Sequence, residues 1–321
     1  MSVTTRPPRS SRRRSTPVAE LIDLGAPVRA KPSDSPVHQL RAALDSRVRA
    51  LLAHDPGTRV GQDPEELHQM RVAVRRMRAA LKAARPLLDR VWADDLRAEL
   101  GWLGRALGPV RDADVLIERL RGRAAAFDDS GRDAAEYLFE ALVSERETAR
   151  GDMLTALHSD RYIALLRTLA AAVSEPLPTA AGPAAGPALR DLVHVEFRRL
   201  AKSVRRAGDD PPDEVLHALR IQGKRLRYTG ELAVPVVGKR MRKLVESTVA
   251  LQDVLGEHQD ACVAQRRVIA LLDSFGDVVD LDVVFVAGRL VEREDLSRLA
   301  TRAAWSSAWL PVQRRAQALD Y

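Results

Sequence analysis

From Val37 onward, apolar residues recur every three to four positions along almost the whole chain. This spacing places them on one face of an α-helix. No stretch alternates apolar and polar residues for long, as a half-buried β-strand would. Glycine and proline cluster at a few breaks between the helical stretches, where they end helices. The pattern therefore predicts an all-α fold.

The breaks divide the chain into two similar parts. The segment 174–188, SEPLPTAAGPAAGPA, is too rich in proline and small residues to be helical and is predicted to be a linker. It separates a half at 37–173 from a half at 189–321, and weaker breaks leave about four helices in each. We therefore expect two four-helix bundles. Residues 1–36 are rich in Pro, Ser and Arg and are predicted to be a disordered basic tail.

An internal repeat relates the two halves. The segment LHQMRVAVRRMR at 67–78 matches LHALRIQGKRLR at 216–227, which lies 149 positions later. Downstream, an LG segment followed by Asp-Ala at 107–113 matches a second one at 255–261 with a shift of 148 positions. Two matches in the same order indicate a structural repeat. The repeat predicts that the two bundles are related by internal pseudo-twofold symmetry.

Each copy of the repeat carries a stripe of basic residues. On a helix, those of the first copy fall within an arc of about 100°, beside the apolar arc, and extend over about 25 Å. This first stripe contains His68, Arg71, Arg75, Arg78, Lys82 and Arg85. The second stripe contains His217, Arg220, Lys224 and Arg227, but Glu231 stands at the position of Lys82. Lys239, Arg242 and Lys243 open the next helix and are expected to add charge there.

The charge pattern favours an anionic partner over an ordinary solvated face. The net charge of +7 owes much to residues 1–16, which contain five arginines and no acid. The stripe from His68 to Arg85 contains no acid either, although like charges four residues apart destabilise a helix. Arginine forks donate two hydrogen bonds to phosphate oxygens, so a row of them suits a linear polyanion with repeating phosphates.

The paired motifs resemble the CHAD domain, the conserved histidine α-helical domain. The resemblance covers roughly residues 37–321 and implies a basic surface that binds inorganic polyphosphate, in the cytoplasm or at polyphosphate granules. Carried over by motif, the implied binding positions are His68, Arg71, Arg75, Arg76 and Arg78, with His217, Arg220, Lys224, Arg225 and Arg227 as their counterparts.

Several roles remain open at this stage. His68 and His217 either donate to phosphate or orient a neighbouring side chain. Asp112 and Asp260 either brace the basic residues or cap a helix start after Gly108. His38 and His194 form a weaker pair that could support the site.

The sequence contains none of the common enzyme motifs, so we expect a noncatalytic protein without cofactor or metal. No apolar stretch is long enough for a membrane span, and we expect no membrane partner. The alternative function is nonspecific nucleic-acid binding through the same stripes and the tail. An aromatic content of 4% disfavours it, because aromatic residues supply the platforms for base stacking. The tail is either solubilising or an auxiliary arm for polyanions.

Overall fold

The computed structural model describes residues 22–179, 188–276 and 279–319, and within these ranges it contains nine α-helices, a short 3-10 turn and no β-strand. The all-α prediction is confirmed. The helices are α1 (Pro36–Val60), α2 (Pro64–Ala83), α3 (Arg90–Ala124), α4 (Asp129–Leu157), α5 (Asp160–Ser174), α6 (Leu189–Ala207), α7 (Asp213–Val237), α8 (Lys239–Phe275) and α9 (Leu281–Gln317).

Polar caps fix where several helices start. The Asp63 side chain accepts a hydrogen bond from the backbone N–H of Glu65, and Pro64 occupies the first position of α2, as the sequence predicts. Two helices continue past a proline at which the sequence pattern predicts a break. Helix α1 continues past Pro56 and ends at Gly61, whose φ of 73° is left-handed. Helix α7 likewise continues past Pro235. A proline removes one intrahelical hydrogen bond, and here the surrounding packing outweighs that loss.

The first half contains five helices, so the expectation of about four is wrong there. Helix α4 ends at Leu157 and α5 begins at Asp160. The side chain of Ser159 caps α5 by accepting from the backbone N–H of Tyr162. This break carries neither glycine nor proline, which is why the pattern did not reveal it.

Part of the segment 1–36, predicted to be a disordered tail, is packed against the helices. Residues 1–21 lie outside the described part of the chain, but the segment from Ile22 to Ser35 packs along α1. The backbone N–H of Val28 donates to buried Asp45, and the Arg49 guanidinium donates to the carbonyl oxygen of Gly25. These hydrogen bonds to Asp45 and Arg49 of α1 hold the segment 22–35 in place, although its composition alone predicts disorder.

The predicted linker is also partly packed. Leu177 is buried, and the backbone N–H of Asp89 donates to the carbonyl of Pro178 at 3.0 Å. The remainder of the linker, residues 180–187, lies outside the described ranges.

The hydrophobic core does not divide at the linker. One large cluster of buried residues combines side chains from both halves, including Leu40 of α1 and Leu216 of α7. A second cluster joins α3 and α4 of the first half to α8 and α9 of the second, and contains Phe139 and Leu290. The two halves therefore stabilise each other, while their pseudo-twofold relation stays a prediction from the repeat. None of the helices in the described ranges has the length and apolar character needed to cross a bilayer.

Helices α2 and α7, which carry the repeat, pack against each other at the centre. Helix α3 flanks α2, and α8 flanks α7. The basic stripes of the two repeats are thereby brought to one place.

Candidate anion-binding groove

A central pocket of about 430 Å³ lies where α2, α3, α7 and α8 meet. The first three basic positions of both stripes reach it. Its lining residues are His68, Arg71, Arg75, Arg111, Asp112, Val115, Leu116, Arg119, His217, Arg220, Lys224, Gln259, Asp260 and Val263. Most of these fall into corresponding pairs of the repeat, so the two halves of the chain contribute alike to the pocket.

Each of the two matched acids lies beside an arginine of the pocket. The Arg71 guanidinium donates to the Asp112 carboxylate at 2.8 Å, and Arg220 lies 3.9 Å from Asp260. The alternative of a helix start after Gly108 is wrong, because α3 runs unbroken from Arg90 to Ala124. The Asp112 carboxylate fixes the orientation of the Arg71 guanidinium and leaves its other N–H groups for a ligand, whereas Arg220 has only an electrostatic contact with Asp260.

A glycine of the repeat lies beside each of these arginines, and in the first copy it makes room for the guanidinium. A Cβ atom at Gly108 would lie 2.6 Å from the Arg71 Nη1 atom, closer than atoms can approach. At the corresponding Gly256, a Cβ would lie 3.7 Å from the Arg220 Nε atom, in ordinary contact. In the first copy, the glycine of the LG dipeptide therefore has a steric role. Because Gly108 has no side chain, the Arg71 guanidinium can lie directly on the backbone of α3.

The pocket desolvates and crowds its basic groups. Burial, with a smaller contribution from Arg111, lowers the pKa of His68 below its ordinary value. His68 is therefore a neutral imidazole at neutral pH and can donate one hydrogen bond. Burial, followed by the charges of Arg220 and Arg75, lowers the pKa of Lys224 to about 8. Such a site stabilises a bound anion, because the anion relieves the repulsion among its cations.

The lowered pKa of Lys224 predicts that the binding of an anion in this pocket depends on pH. A bound polyanion raises its pKa, so above pH 8 binding requires the uptake of a proton and becomes weaker. We expect the affinity for an inorganic polyanion to fall by about tenfold between about pH 7 and about pH 10. Binding isotherms across this range check the prediction. Lys224→Arg, which stays charged throughout, should flatten the profile; an unchanged profile would contradict the role of Lys224.

A second, narrower pocket continues from the central one. This arm has a volume of about 220 Å³ and shares Arg75 and Lys224 with the central pocket. Its further basic lining residues are Arg78, Lys82, Arg97 and Arg225. Sequence reasoning missed Arg97 and Arg111, because both lie on α3 outside the stripes. Their only signal is the proximity of α3 to α2, which is a tertiary feature.

Six of the predicted binding residues do not line the groove. Arg76 faces away from it and lies 3.4 Å from Glu231, which also accepts a hydrogen bond from Arg227. Arg85 donates to both carboxylate oxygens of Asp94. The remaining three are exposed on the first turns of α8: Lys239, Arg242 and Lys243. An acid lies beside each of the first three. Glu231 is four residues from Arg227 on the same helix, whereas the acids beside Arg76 and Arg85 lie on other elements, which a projection of a single helix does not reveal.

The two supporting histidines also lie outside the groove lining. The His38 Nε2 atom donates a hydrogen bond to the backbone carbonyl oxygen of Arg29 at 2.9 Å, in the segment that precedes α1. His194 lies on α6 and is not among the residues that line either pocket.

One group of metal-ligand side chains occurs among the described residues: Asp213, His258 and Cys262. The Asp213 carboxylate already accepts hydrogen bonds from Arg298 at 3.1 Å and Arg302 at 2.9 Å. Burial also raises the pKa of the Cys262 thiol to about 11. Two guanidinium groups and a protonated thiol make this cluster a poor match for a divalent cation.

The fold is that of a helical protein in which two repeats bring basic side chains to one groove. A family model for the CHAD domain matches residues 42–269, and the chain belongs to the CHAD domain family. Two uncharacterized proteins of Mycobacterium tuberculosis, MT2285 and Rv2226, are each 32% identical to it over 249 residues. The match covers 74% of this chain and 46% of each relative, so the chain spans about half the length of the curated relatives it matches.

Two solved structures share the fold. The CHAD domain from the plant Ricinus communis superposes with a TM-score of 0.70 at 26% identity, over 90% of this chain and 95% of that one. PptA from Streptomyces chartreusis gives a TM-score of 0.69 at 23% identity, over 86% of this chain and 99% of that one. Membership of the family and its all-α architecture are thus established.

Proposed function

We propose that this protein binds inorganic polyphosphate noncatalytically in the central pocket. The observation that carries the proposal is the convergence of two repeated basic stripes on one cavity. Arg71, Arg75, Arg220 and Lys224 all line it. A single phosphate would engage two or three of these side chains, whereas a chain of linked phosphates would engage the whole set.

The acids of the pocket support binding rather than catalysis. Asp112 is engaged by Arg71, and Asp260 lies beside Arg220, so each carboxylate has a guanidinium neighbour. A hydrolytic site needs a base placed to activate water and a group or metal that stabilises the leaving phosphate. We therefore expect polyphosphate to be recovered intact after incubation with the protein.

Polyphosphate suits this site better than a nucleic acid. No aromatic side chain lines the central pocket, so bases would find no stacking platform there. The arginine forks address phosphate oxygens and carry no means of reading base edges. We expect nucleic acids to bind more weakly and without sequence preference, and we expect the protein to associate with polyphosphate granules in the cytoplasm.

Competition binding tests the proposal. Labelled polyphosphate is first bound to the protein. At about 150 mM salt, unlabelled long-chain polyphosphate should displace it more effectively than DNA or RNA of equal phosphate content does. A variant that lacks residues 1–21 should retain this preference, because the groove lies entirely in the described ranges. The proposal would be contradicted if nucleic acid competed equally well, or if removal of residues 1–21 alone abolished binding.

A further inference from the structure

The groove is open on one side of the α2–α7 pair and closed on the other. On the open side, the arm of about 220 Å³ continues from the central pocket. On the opposite side, a cavity of only about 60 Å³ is lined by Arg47, Arg76 and Glu231. Both cavities lie between α2 and α7, but α1 completes the small cavity, whereas α3 and α6 complete the arm.

One pair of corresponding residues gives the two cavities different charges. Lys82 of the first repeat corresponds to Glu231 of the second, and Arg76 corresponds to Arg225. On the closed side, Glu231 attracts Arg76 at 3.4 Å and accepts from Arg227 at 2.8 Å. On the open side, Lys82 and Arg225 line the same arm and repel each other. Burial, followed by the charge of Arg225, lowers the pKa of Lys82.

The open arm therefore holds excess positive charge. Its basic residues Arg78, Lys82, Arg97 and Arg225 face one lining acid, Glu196, and that acid already accepts a hydrogen bond from Arg199 at 2.7 Å. An anion that enters the arm would stabilise these cations, whereas an anion on the closed side would have to displace Glu231.

We propose that a linear polyphosphate leaves the central pocket through the arm lined by Lys82 and Arg225, and that Glu231 prevents it from taking the opposite side. This inference rests on the proposed function. From His68 to Lys82 the path follows α2 for about 21 Å. A short phosphate oligomer would occupy the central pocket alone, and a long chain would occupy the central pocket and the arm.

Lys82→Glu tests the path by copying the closed side onto the open one. The new carboxylate would face Arg225, as Glu231 faces Arg76. We expect the affinity for long-chain polyphosphate to fall by about tenfold, because one cation is lost and a second is neutralised. The affinity for tripolyphosphate should change by less than about twofold, since screening weakens the effect of the arm on the central pocket. Arg225→Glu, which places the acid on the other helix, should give the same pattern.

Two further variants separate the possible outcomes. Lys31→Glu makes the same change of charge at an exposed lysine outside both pockets and should leave both affinities unchanged. Arg71→Glu/Arg220→Glu should weaken binding of both ligands. If Lys82→Glu behaves like Lys31→Glu, or lowers the affinity for both ligands equally, the proposed path through the arm is wrong and the proposed function stands. If the double variant binds normally, the proposed function itself fails.

Discussion

Replacing Arg71 and Arg220 together by glutamate is expected to weaken binding of long-chain polyphosphate by at least about a hundredfold at about 150 mM salt. The two residues correspond in the repeat and line the central pocket from opposite helices. A hydrogen bond to a charged group contributes about 1.5–3 kcal/mol, and the introduced carboxylates add repulsion of the ligand. Isothermal titration at several salt concentrations measures the loss and should also show a smaller salt dependence.

The control must match the change in net charge. Lys31→Glu/Arg167→Glu removes two exposed cations outside the groove and should retain the affinity of the wild-type protein within about threefold. Thermal unfolding of both double variants shows whether the fold is kept. Equal losses in the two variants would mean that general charge, rather than the pocket, governs binding.

Replacing Glu294 by alanine is expected to lower the free energy of unfolding by about 3–5 kcal/mol. The Glu294 carboxylate is fully buried and accepts from Arg119 at 2.8 Å and from Arg123 at 3.0 Å. Arg119 also donates to Glu257, and these hydrogen bonds lower the pKa of Glu257 to about 2. The network joins α3, α8 and α9 beneath the central pocket, so its loss would leave two partly buried guanidinium groups short of acceptors.

Urea unfolding monitored by circular dichroism measures this effect. Glu292→Ala, two residues earlier on the exposed face of α9, should change the free energy of unfolding by less than about 0.5 kcal/mol. A loss in Glu294→Ala no larger than in this control would show that the buried carboxylate contributes little net stability.

The same network explains why Arg119 differs from the other cations of the pocket. Its side chain lines the cavity, but its guanidinium is satisfied by two acids on α8 and α9. Arg71 has a single acidic partner on one side and retains donors for a ligand. Position on a basic surface is thus a weaker guide to binding than the number of acids that already engage the group.

The all-α fold and the central residues of the groove could be predicted from the sequence. The apolar period of the helices is a local property, and the repeat places His68, Arg71 and Arg75 in register with His217, Arg220 and Lys224. A motif that occurs twice constrains both copies to the same local structure. These residues are the ones that line the central pocket from α2 and α7.

The same reasoning could not predict which basic residues outside the central pocket are paired with acids. Arg85 and Arg76 belong to basic patterns, yet Asp94 and Glu231 neutralise them. Arg97 lies outside the patterns, yet it lines the arm. Which acid meets which base depends on how α1, α3 and α6 pack around α2 and α7, and a helical projection contains no information about neighbouring helices.

The sequence by itself determined the helices, the repeat and the pairs of basic residues, because each follows from spacing along one chain. The tertiary structure alone decided which of those cations remain available. It joins α3 and α4 to α8 and α9 in a shared core, and it sets Lys82 opposite Arg225 but Glu231 opposite Arg76. Electrostatic interactions act between groups that are close in space, whatever their separation in sequence, and therefore only the folded chain distinguishes an open basic arm from a neutralised one.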